Sequence, residues 1–200
     1  MYQNAPPEEL IALVGRILFE RRLTDLCGGN ISMRVGDRMY ITPRYSGARQ
    51  LWNVDPPTII SAPIASDEIL THKDFSREGR AHLLVYRSFP DASAIIHAHP
   101  SHVLPFCAAG RAMEPVLEAT EKLGVIDAIP FAPSHSQELA ESVRDALVGK
   151  ESLIRRHAAV LLLPKHGVFA VSHDLLLCLD AVERVNTNAW CILAQKLMPE

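Results

Sequence analysis

The 200-residue sequence lacks a run of apolar residues long enough to cross a bilayer, which takes about 18 or more in succession. Its first ten residues, MYQNAPPEEL, also lack the basic segment and apolar core of an export signal. We therefore expect a soluble, unexported protein of the cytoplasm that has no membrane partner.

Long runs of one charge are missing as well. Lys and Arg residues adjoin one another only at Arg21 and Arg22 and at Arg155 and Arg156, and the formal net charge is −3. Proteins that bind nucleic acid usually carry a basic patch or stripe. The charge pattern thus argues against a nucleic-acid partner.

Cysteine is sparse and scattered. The chain has four cysteines and no CxxC pair: Cys27, Cys107, Cys178 and Cys191. Such spacing is typical neither of a disulfide framework nor of a thiolate metal site. We expect reduced packing residues, in keeping with a reducing cytoplasm.

Internal repeats, low-complexity tracts and linkers are also absent. Hydrophobic residues make up 48% of the chain and charged residues 22%, which suits one compact core at this length. Segments with helical and strand-like patterns alternate along the sequence. The expectation is one α/β domain over residues 1–200.

The elements are predicted from hydrophobic periodicity. Residues 6–23 have the apolar spacing of a helix, and two alternating β-rich runs around Gly36 and Asp37 predict a hairpin in residues 30–42. Residues 53–75 are the hardest to interpret, with short strands expected at Thr58–Ile60 and near Ile69 and Leu70. Further helices are expected at 77–89, 101–110, 116–124, 136–149 and 174–197, and further strands at 93–99, at 127–132 and on both sides of a bend at Pro164–Gly167.

A pair of histidines ends the apolar stretch AIIHAHP. Side chains at i and i+2 of a strand point to the same face, so His97 and His99 would lie side by side. A lone HxH pair is more often a hydrogen-bonded core or surface feature than a metal site. The pair needs a third ligand before it predicts a metal centre.

His166 is the candidate third ligand. It ends a second apolar run, AAVLLLPKHG, and is followed by Gly167, which would let the backbone turn tightly. If the two strands lie in one sheet with their ends together, three imidazoles converge, a set that suits a divalent transition metal such as a catalytic zinc. His102 and His135 are left open as supporting or surface groups.

Four segments resemble the class II aldolase and adducin family. Residues 76–100, SREGRAHLLVYRSFPDASAIIHAHP, are similar to its central block, in which Ser-x-Glu opens a helix and an HxH pair binds zinc. Residues 27–32, CGGNIS, resemble its GNxS loop, residues 41–47, ITPRYSG, its ITPxG loop, and residues 164–172, PKHGVFAVS, the segment with the third zinc ligand. The matches follow the family's order and cover most of residues 8–195.

The resemblance implies a single-domain, three-layer α/β/α fold with a central mixed, largely antiparallel sheet. It also implies that His97, His99 and His166 bind Zn²⁺ and that Glu78 is the acid/base residue. Proton removal beside a carbonyl needs a positioned base and an electrophile that holds the enediolate oxygens, which agrees with these roles. Taken alone, Glu78 is more simply a first-turn acid that favours the helix dipole.

Substrate contacts are also implied by the resemblance, in which small residues and backbone amides hold a phosphate. The positions that fit are Asn30, Ser32, Thr42, Gly47 and Ser76. Arg77 stands where the family has a second serine, and the loop around Arg44 is longer than the family's. A guanidinium can hold phosphate or carboxylate through two hydrogen bonds, so Arg77 either replaces the serine contact, changes the anion that is recognised, or points to solvent. The same alternatives apply to Arg44.

Three functions remain open. The first is a zinc-dependent lyase, an aldolase that cleaves or forms a carbon–carbon bond in a small phosphorylated ketose or related hydroxy-carbonyl compound through a metal-stabilised enediolate. Glu78 favours it, because the family's aldolases carry Glu here and its epimerases Asp. The second is an epimerase, dehydratase or decarboxylase acting on a small sugar phosphate or carboxylate. The third is a non-catalytic, adducin-like domain, which has no physical need for three converging imidazoles.

The assembly is implied by the resemblance as well. Family members are usually homotetramers whose active sites lie between subunits and include a tyrosine from a neighbour. No tyrosine follows Tyr86 in this sequence. We expect a homotetramer in which another residue takes that place.

Overall fold

A seven-stranded sheet runs through the centre of the structure, a computed structural model that describes residues 5–199. Its strand order is β3-β2-β1-β4-β7-β6-β5. Only the β5–β6 pair is parallel, so the sheet is mixed and largely antiparallel, as expected. The strands are β1 (Asn30–Val35), β2 (Arg38–Ile41), β3 (Ile60–Pro63), β4 (Ala94–Ala98), β5 (Asp127–Ala128), β6 (Ala159–Leu163) and β7 (Gly167–Ser172).

Helices cover both faces of the sheet. They are α1 (Pro7–Glu20), α2 (Ser46–Gln50), α3 (Gly79–Ser88), α4 (Leu104–Ala109), α5 (Glu118–Glu121), α6 (Gln137–Leu147), α7 (Glu151–Arg156) and α8 (Leu175–Gln195). The α8 helix begins where the Asp174 carboxylate accepts the backbone N–H groups of Leu176 and Leu177. None of the helices within residues 5–199 is both long enough and apolar enough to span a membrane.

Two separate apolar cores result from the alternation of side chains along the central strands. In β4, Ile96 and Ala98 pack with α1 and α8, whereas Ile95 packs with α3 and α6. His97 follows the same alternation and points to the face of Ile95. The fold is therefore three-layered, as the resemblance implies, and β4 delivers its histidine to the α3 side.

Several expected elements differ from the structure. The strand expected near Ile69 and Leu70 is wrong, because Glu68–Thr71 forms a 3-10 turn. The strand expected at 127–132 is reduced to β5, and Pro130 lies just beyond it, where it cannot donate to a ladder. The sequence reading also missed α2 and α7. The strand expected at Thr58–Ile60 is displaced, because Pro56–Thr58 forms a 3-10 turn and β3 begins at Ile60. The remaining expected helices and strands are present, most with shorter bounds.

The longer loop at residues 43–52 folds into the short helix α2. Left-handed residues bound this helix on both sides, Tyr45 with φ 67° and Leu51 with φ 50°. A β-carbon on Gly47 would lie 2.9 Å from the carbonyl oxygen of Leu26, so this glycine allows the loop to pack closely on the segment before β1. The packing brings Tyr45 to the edge of the cleft described below.

Candidate metal centre

Three histidines converge where β4 ends and β7 begins. The two strands pair antiparallel, with Ala98 opposite Val168, so the end of β4 lies beside the turn that carries His166. One donor atom from each of His97, His99 and His166 lies within 4.8 Å of the other two. The expected convergence is therefore present.

His97 is fixed by hydrogen bonds to both of its ring nitrogens. The ring is almost fully buried, and Nδ1 donates to the carbonyl oxygen of Val168 at 2.8 Å. Nε2 then faces the Glu78 carboxylate, with 2.9 Å between Nε2 and Oε2. Burial lowers the pKa of His97, but the Glu78 carboxylate outweighs it and raises the pKa above the ordinary value.

His99 has one satisfied nitrogen and one without a partner. Nδ1 lies 3.1 Å from Oδ1 of Asp25, whereas Nε2 is buried with no hydrogen-bond partner. The same Asp25 oxygen accepts the backbone N–H groups of Cys27 and Gly28, at 2.8 and 3.2 Å. Such carboxylate support is typical of metal-ligating histidines, and the unpartnered Nε2 is a free ligand position.

His166 completes the group. Its Nε2 lies 3.1 Å from Oε1 of Glu78. Burial, followed by the positive charge of His97, lowers the pKa of His166 to about 4. The same two causes lower the pKa of His99. Both rings are therefore neutral near pH 7, which is the form that binds a metal.

Two glycines let the backbone approach the His99 ring. A β-carbon on Gly28 would lie 2.7 Å from Cε1 of His99. One on Gly167 would lie 2.4 Å from the carbonyl oxygen of Ala98 and 2.6 Å from Cδ2 of His99. Gly167 is thus required for close approach, and the left-handed residue of this turn is Lys165, with φ 60°. The expectation that Gly167 makes the tight turn is wrong.

The pair of Gly28 and Gly29 also belongs to the site. The α1 helix ends well before it, with Arg21 as its C-cap. Gly29 has φ 102°, and a β-carbon there would lie 3.1 Å from the carbonyl oxygen of His97. The pair therefore packs the loop against the histidines and does not cap a helix.

Glu78 lies at the N-terminal end of α3 and is almost fully buried. Its carboxylate contacts His97 and His166, and Oε1 is 3.5 Å from Nδ1 of His135. Burial would raise the pKa of this carboxyl, but the three imidazoles, His97 foremost, together hold it at about 2. Glu78 is ionised at neutral pH and can therefore accept a proton, although a carboxylate with so low a pKa is a weak base.

A cleft of about 320 Å³ opens over these residues. Asn30, Ser76 and Arg77, three of the expected substrate residues, line it together with Glu78. The side-chain oxygen Oδ1 of Asn30 is buried and has no hydrogen-bond partner. The cleft therefore combines the histidines and the carboxylate with polar groups available to a ligand.

The other three expected substrate residues do not line this cleft. Ser32 is fully buried, with its hydroxyl bonded to Nδ1 of His82 and to the Tyr86 hydroxyl. Thr42 is fully buried too, and its hydroxyl accepts the N–H of Ile31. Gly47 packs on the segment before β1, as described above. The structure gives these residues roles in packing.

Sequence reasoning missed Asp25 and Tyr45 as parts of the site and left His135 open as a supporting or surface group. Tyr45 and His135 line the cleft, and Arg44, left open above, lines it as well. The Tyr45 hydroxyl accepts a hydrogen bond from Arg77 at 3.2 Å, and a hydrogen bond from Arg44 lowers the pKa of this phenol. The sequence signal for Asp25 was an acidic residue just ahead of CGGN, whereas no sequence pattern pointed to Tyr45.

Cys27 also lines the cleft and is exposed, unlike the expected packing cysteine. Cys107 and Cys178 are buried, and Cys191 is half-buried. All four are free thiols, as expected.

The residues fit a divalent metal ion. The donor set consists of three imidazoles, the unpartnered Nε2 of His99 faces the centre, and Asp25 and the Val168 carbonyl orient two of the rings. Three nitrogen donors leave at least one position open for water or substrate. The group could hold such an ion at the base of the cleft.

Comparison with known proteins agrees with this geometry. The model of the class II aldolase and adducin N-terminal domain matches residues 9–193. The chain is 28% identical over 190 residues to 3-oxo-tetronate 4-phosphate decarboxylase of Haemophilus influenzae, covering 91% of this chain and 84% of that protein. It is also 28% identical over 161 residues to L-fuculose phosphate aldolase of Methanococcus maripaludis, covering 80% of this chain and 81% of the relative.

A solved structure of L-fuculose 1-phosphate aldolase superposes with a TM-score of 0.82, at 24% identity, over 98% of this chain and 89% of the other. At 24% identity, this superposition is evidence for the fold alone. The family match, in contrast, extends over nearly the whole sequence, including all four segments discussed above. The chain therefore belongs to the class II aldolase and adducin family.

Proposed function

We propose that this protein is a zinc-dependent lyase, an aldolase that cleaves or forms a carbon–carbon bond in a small phosphorylated ketose or related hydroxy-carbonyl compound. The observation that carries the proposal is the contact of one ionised, buried carboxylate, Glu78, with two of three convergent imidazoles in an open cleft. Similarity to L-fuculose phosphate aldolases supports the reaction type.

His97, His99 and His166 would hold the Zn²⁺ ion. When bound, the ion supplies Lewis-acid stabilisation of the negative charge that develops on the substrate's carbonyl oxygen. The chain must then place a base beside the carbon that bears the acidic proton.

Glu78 is that base in the direction of bond formation. Its carboxylate accepts the proton from the carbon next to the carbonyl, the resulting enediolate attacks an aldehyde, and the aldehyde oxygen takes a proton from water. In the direction of cleavage, the hydroxyl proton passes to water, and the Glu78 carboxyl group returns a proton to the same carbon. Glu78 is buried on the α3 side of β4 but lines the open cleft, so its proton can pass to the substrate and can also exchange with solvent.

Asn30, Ser76 and Arg77 would orient the substrate through its anionic group. The amide N–H groups of Asn30 can donate to an anion, whereas its Oδ1, which has no protein partner, can accept from a substrate hydroxyl. Arg77 adds a guanidinium that can bind phosphate or carboxylate. Ser32, Thr42 and Gly47 contribute indirectly by packing the loops that carry these groups.

Decarboxylation is the second candidate. Loss of CO₂ from a 3-oxo acid leaves a carbanion next to a carbonyl, so it needs the same ion and the same proton donor. Arg77 in place of the family's serine, together with the similarity to 3-oxo-tetronate 4-phosphate decarboxylase, favours it over epimerisation, dehydration or a non-catalytic role.

The proposal also includes a homotetramer with inter-subunit sites and a cytoplasmic location, and light scattering tests the assembly.

The test is proton exchange at the substrate carbon. Zinc-loaded protein is incubated with dihydroxyacetone phosphate in D₂O, and deuterium incorporation is followed by NMR. We expect exchange in the wild type and a loss of about 10²–10⁴-fold in Glu78→Gln, with the metal retained. Unchanged exchange in this variant would refute the role of Glu78 as base.

A panel of phosphorylated ketoses and 3-oxo acids then separates the two candidates, because aldol cleavage releases an aldehyde and decarboxylation releases CO₂. His102→Gln is the matched control. His102 stacks on Trp190, with ring centroids 5.1 Å apart, and does not line the cleft. Its exchange rate should equal that of the wild type.

A further inference from the structure

A second groove, of about 250 Å³, lies beside the metal cleft. It shares Arg44, Arg77 and His135 with that cleft, whereas Arg80 and His72 line the second groove and not the cleft. We call these five residues the arginine groove. Because the two spaces share these lining residues, the arginine groove adjoins the cleft above Glu78 on the side of Arg77 and His135.

The arginine groove carries positive charge without a matching negative charge. Within residues 5–199, Arg44, Arg77 and Arg80 form no ion pair with a carboxylate. Some arginines elsewhere do so: Arg87 pairs with Asp67 and Arg155 with Asp91. The three groove guanidiniums instead donate to neutral acceptors: the Lys73 carbonyl oxygen at 3.3 Å, the Tyr45 hydroxyl at 3.2 Å and the Gln137 side-chain oxygen at 3.5 Å, respectively.

Two of these guanidiniums are held in place. The ring of Tyr45 lies 4.5 Å from the Arg44 guanidinium and 4.4 Å from that of Arg49, and its hydroxyl is bonded to Arg77. Nε of Arg44 is buried and has no hydrogen-bond partner in the described part of the chain. The mutual repulsion of convergent cations is unfavourable, and a bound anion relieves it.

Preorganised guanidiniums favour oxyanions, because their planar fork matches the oxygens of phosphate and carboxylate. The metal cleft already has groups for one anionic group of the substrate in Asn30 and Ser76. Neither residue lines the arginine groove, and Arg80 of the groove does not line the metal cleft.

We propose that the arginine groove binds a second anionic group of the substrate, a phosphate or carboxylate remote from the carbonyl that reacts. The inference rests on the proposed function for the position of that carbonyl. It names the substrate class as a compound with two separate anionic groups, such as a sugar acid phosphate or a ketose bisphosphate. Arg77, which lines both spaces, binds the first anionic group as proposed above, and Arg44 and Arg80 bind the second.

Arg80→Gln tests the proposal, because Arg80 lines the groove and not the metal cleft, and its side chain is exposed enough to be changed without loss of folding. The probes are inorganic phosphate and malonate, titrated calorimetrically into the zinc-loaded protein. We expect binding of at least one of them to weaken about tenfold or more, since a hydrogen bond from a charged donor is lost. The probe that is affected identifies the anion as phosphate or carboxylate.

Arg16→Gln is the control. It removes the same charge from an exposed arginine that pairs with Glu20 on α1. Both affinities should stay within about twofold of the wild type, since the lost charge is far beyond hydrogen-bond reach and screened. Equal binding of both probes to Arg80→Gln and wild type would overturn the proposal, because it would place the anion in the metal cleft alone.

The calorimetric measurement of anion binding does not depend on catalytic turnover. If Glu78→Gln retains full proton exchange while Arg80→Gln loses anion binding, the lyase proposal fails and the anion site stands. If exchange behaves as proposed and Arg80→Gln binds both probes normally, the groove fails and the lyase proposal stands. For an active substrate with two anionic groups, Arg80→Gln should raise KM about tenfold, with little change for a substrate that has one.

Discussion

Nε2 of His97, in a central strand, lies 2.9 Å from Oε2 of Glu78, at the start of a helix on one face of the sheet. Both groups are almost fully buried, so the contact is screened very little by solvent. A metal ion that binds His97 through Nε2 must replace this contact. The carboxylate would then be close to the ion and available to the substrate.

Loss of one ligand should abolish metal binding. His166→Ala removes one of three nitrogen donors, and two imidazoles hold a divalent ion far more weakly than three. We expect elemental analysis to give about one ion per wild-type chain and none above background in the variant. His102→Gln should retain the full complement. A fully loaded His166→Ala protein would contradict the ligand set.

Asp25 should strengthen metal binding although it is not itself one of the proposed ligands. Its Oδ1 atom holds Nδ1 of His99 at 3.1 Å and also bonds two backbone amides of the glycine loop. Asp25→Asn keeps the shape but removes the charge that orients the ring, and we expect metal affinity to fall about 10–100-fold. Competition with a fluorescent chelator measures the change. An unchanged affinity would show that the carboxylate serves the loop alone.

Gly167→Ala should disturb the site by sterics alone. The new β-carbon would lie 2.4 Å from the Ala98 carbonyl oxygen, so the turn before β7 must move away from β4. We expect a loss of about 1–3 kcal/mol in the free energy of unfolding, together with weaker metal binding.

The matched change is Gly36→Ala in the β1–β2 turn. A β-carbon on Gly36 would meet no atom within 4 Å, and Gly36 has φ 60°. The substitution should therefore cost only about 1 kcal/mol of backbone strain and leave the metal affinity intact. Denaturant unfolding and chelator competition separate the two variants. Equal metal affinities would disprove the steric role of Gly167.

His82 should make the metal-free protein less stable in mild acid. Burial lowers its pKa to about 3, while the unfolded chain binds a proton near pH 6.5. Protonation therefore favours the unfolded state as pH falls below 6.5. We expect the His82 contribution to cost about 2 kcal/mol between pH 6.5 and pH 5.

The comparison is with His82→Gln, whose amide can still bond the Ser32 hydroxyl that now contacts Nδ1 of the ring. Urea unfolding at several pH values should show a shallower dependence in this variant. Parallel curves for the two proteins would show that another group titrates.

The metal cluster was predictable because it depends on local sequence and strand pairing. His97 and His99 share a strand face, and an antiparallel neighbour necessarily brings the turn with His166 to the same end. Glu78 was assigned through resemblance, and the structure then placed it in contact with two of the histidines. Predictions from strand pairing of this kind require no knowledge of loop conformation.

The surroundings of the cluster were not predictable, because loops place them. Asp25 reaches His99 from a segment with no periodicity, and Tyr45 reaches the cleft only because the loop after β2 folds into α2. Ser32 lies within β1 and Thr42 directly follows β2, and neither lines the cleft. Their positions in a motif do not reveal which way a side chain points, and both hydroxyls are satisfied within the core.

The alternation of β4 between two cores restricts how this strand can change. A shift of one residue would place His97 among the apolar residues of α1 and α8 and put Ala98 beside Glu78. Insertions and deletions within β4 are therefore excluded by stability and by chemistry together. The loop at 43–52 belongs to no strand, so a change in its length would alter Tyr45 and Arg44 at the cleft without shifting the register of the strand that carries His97.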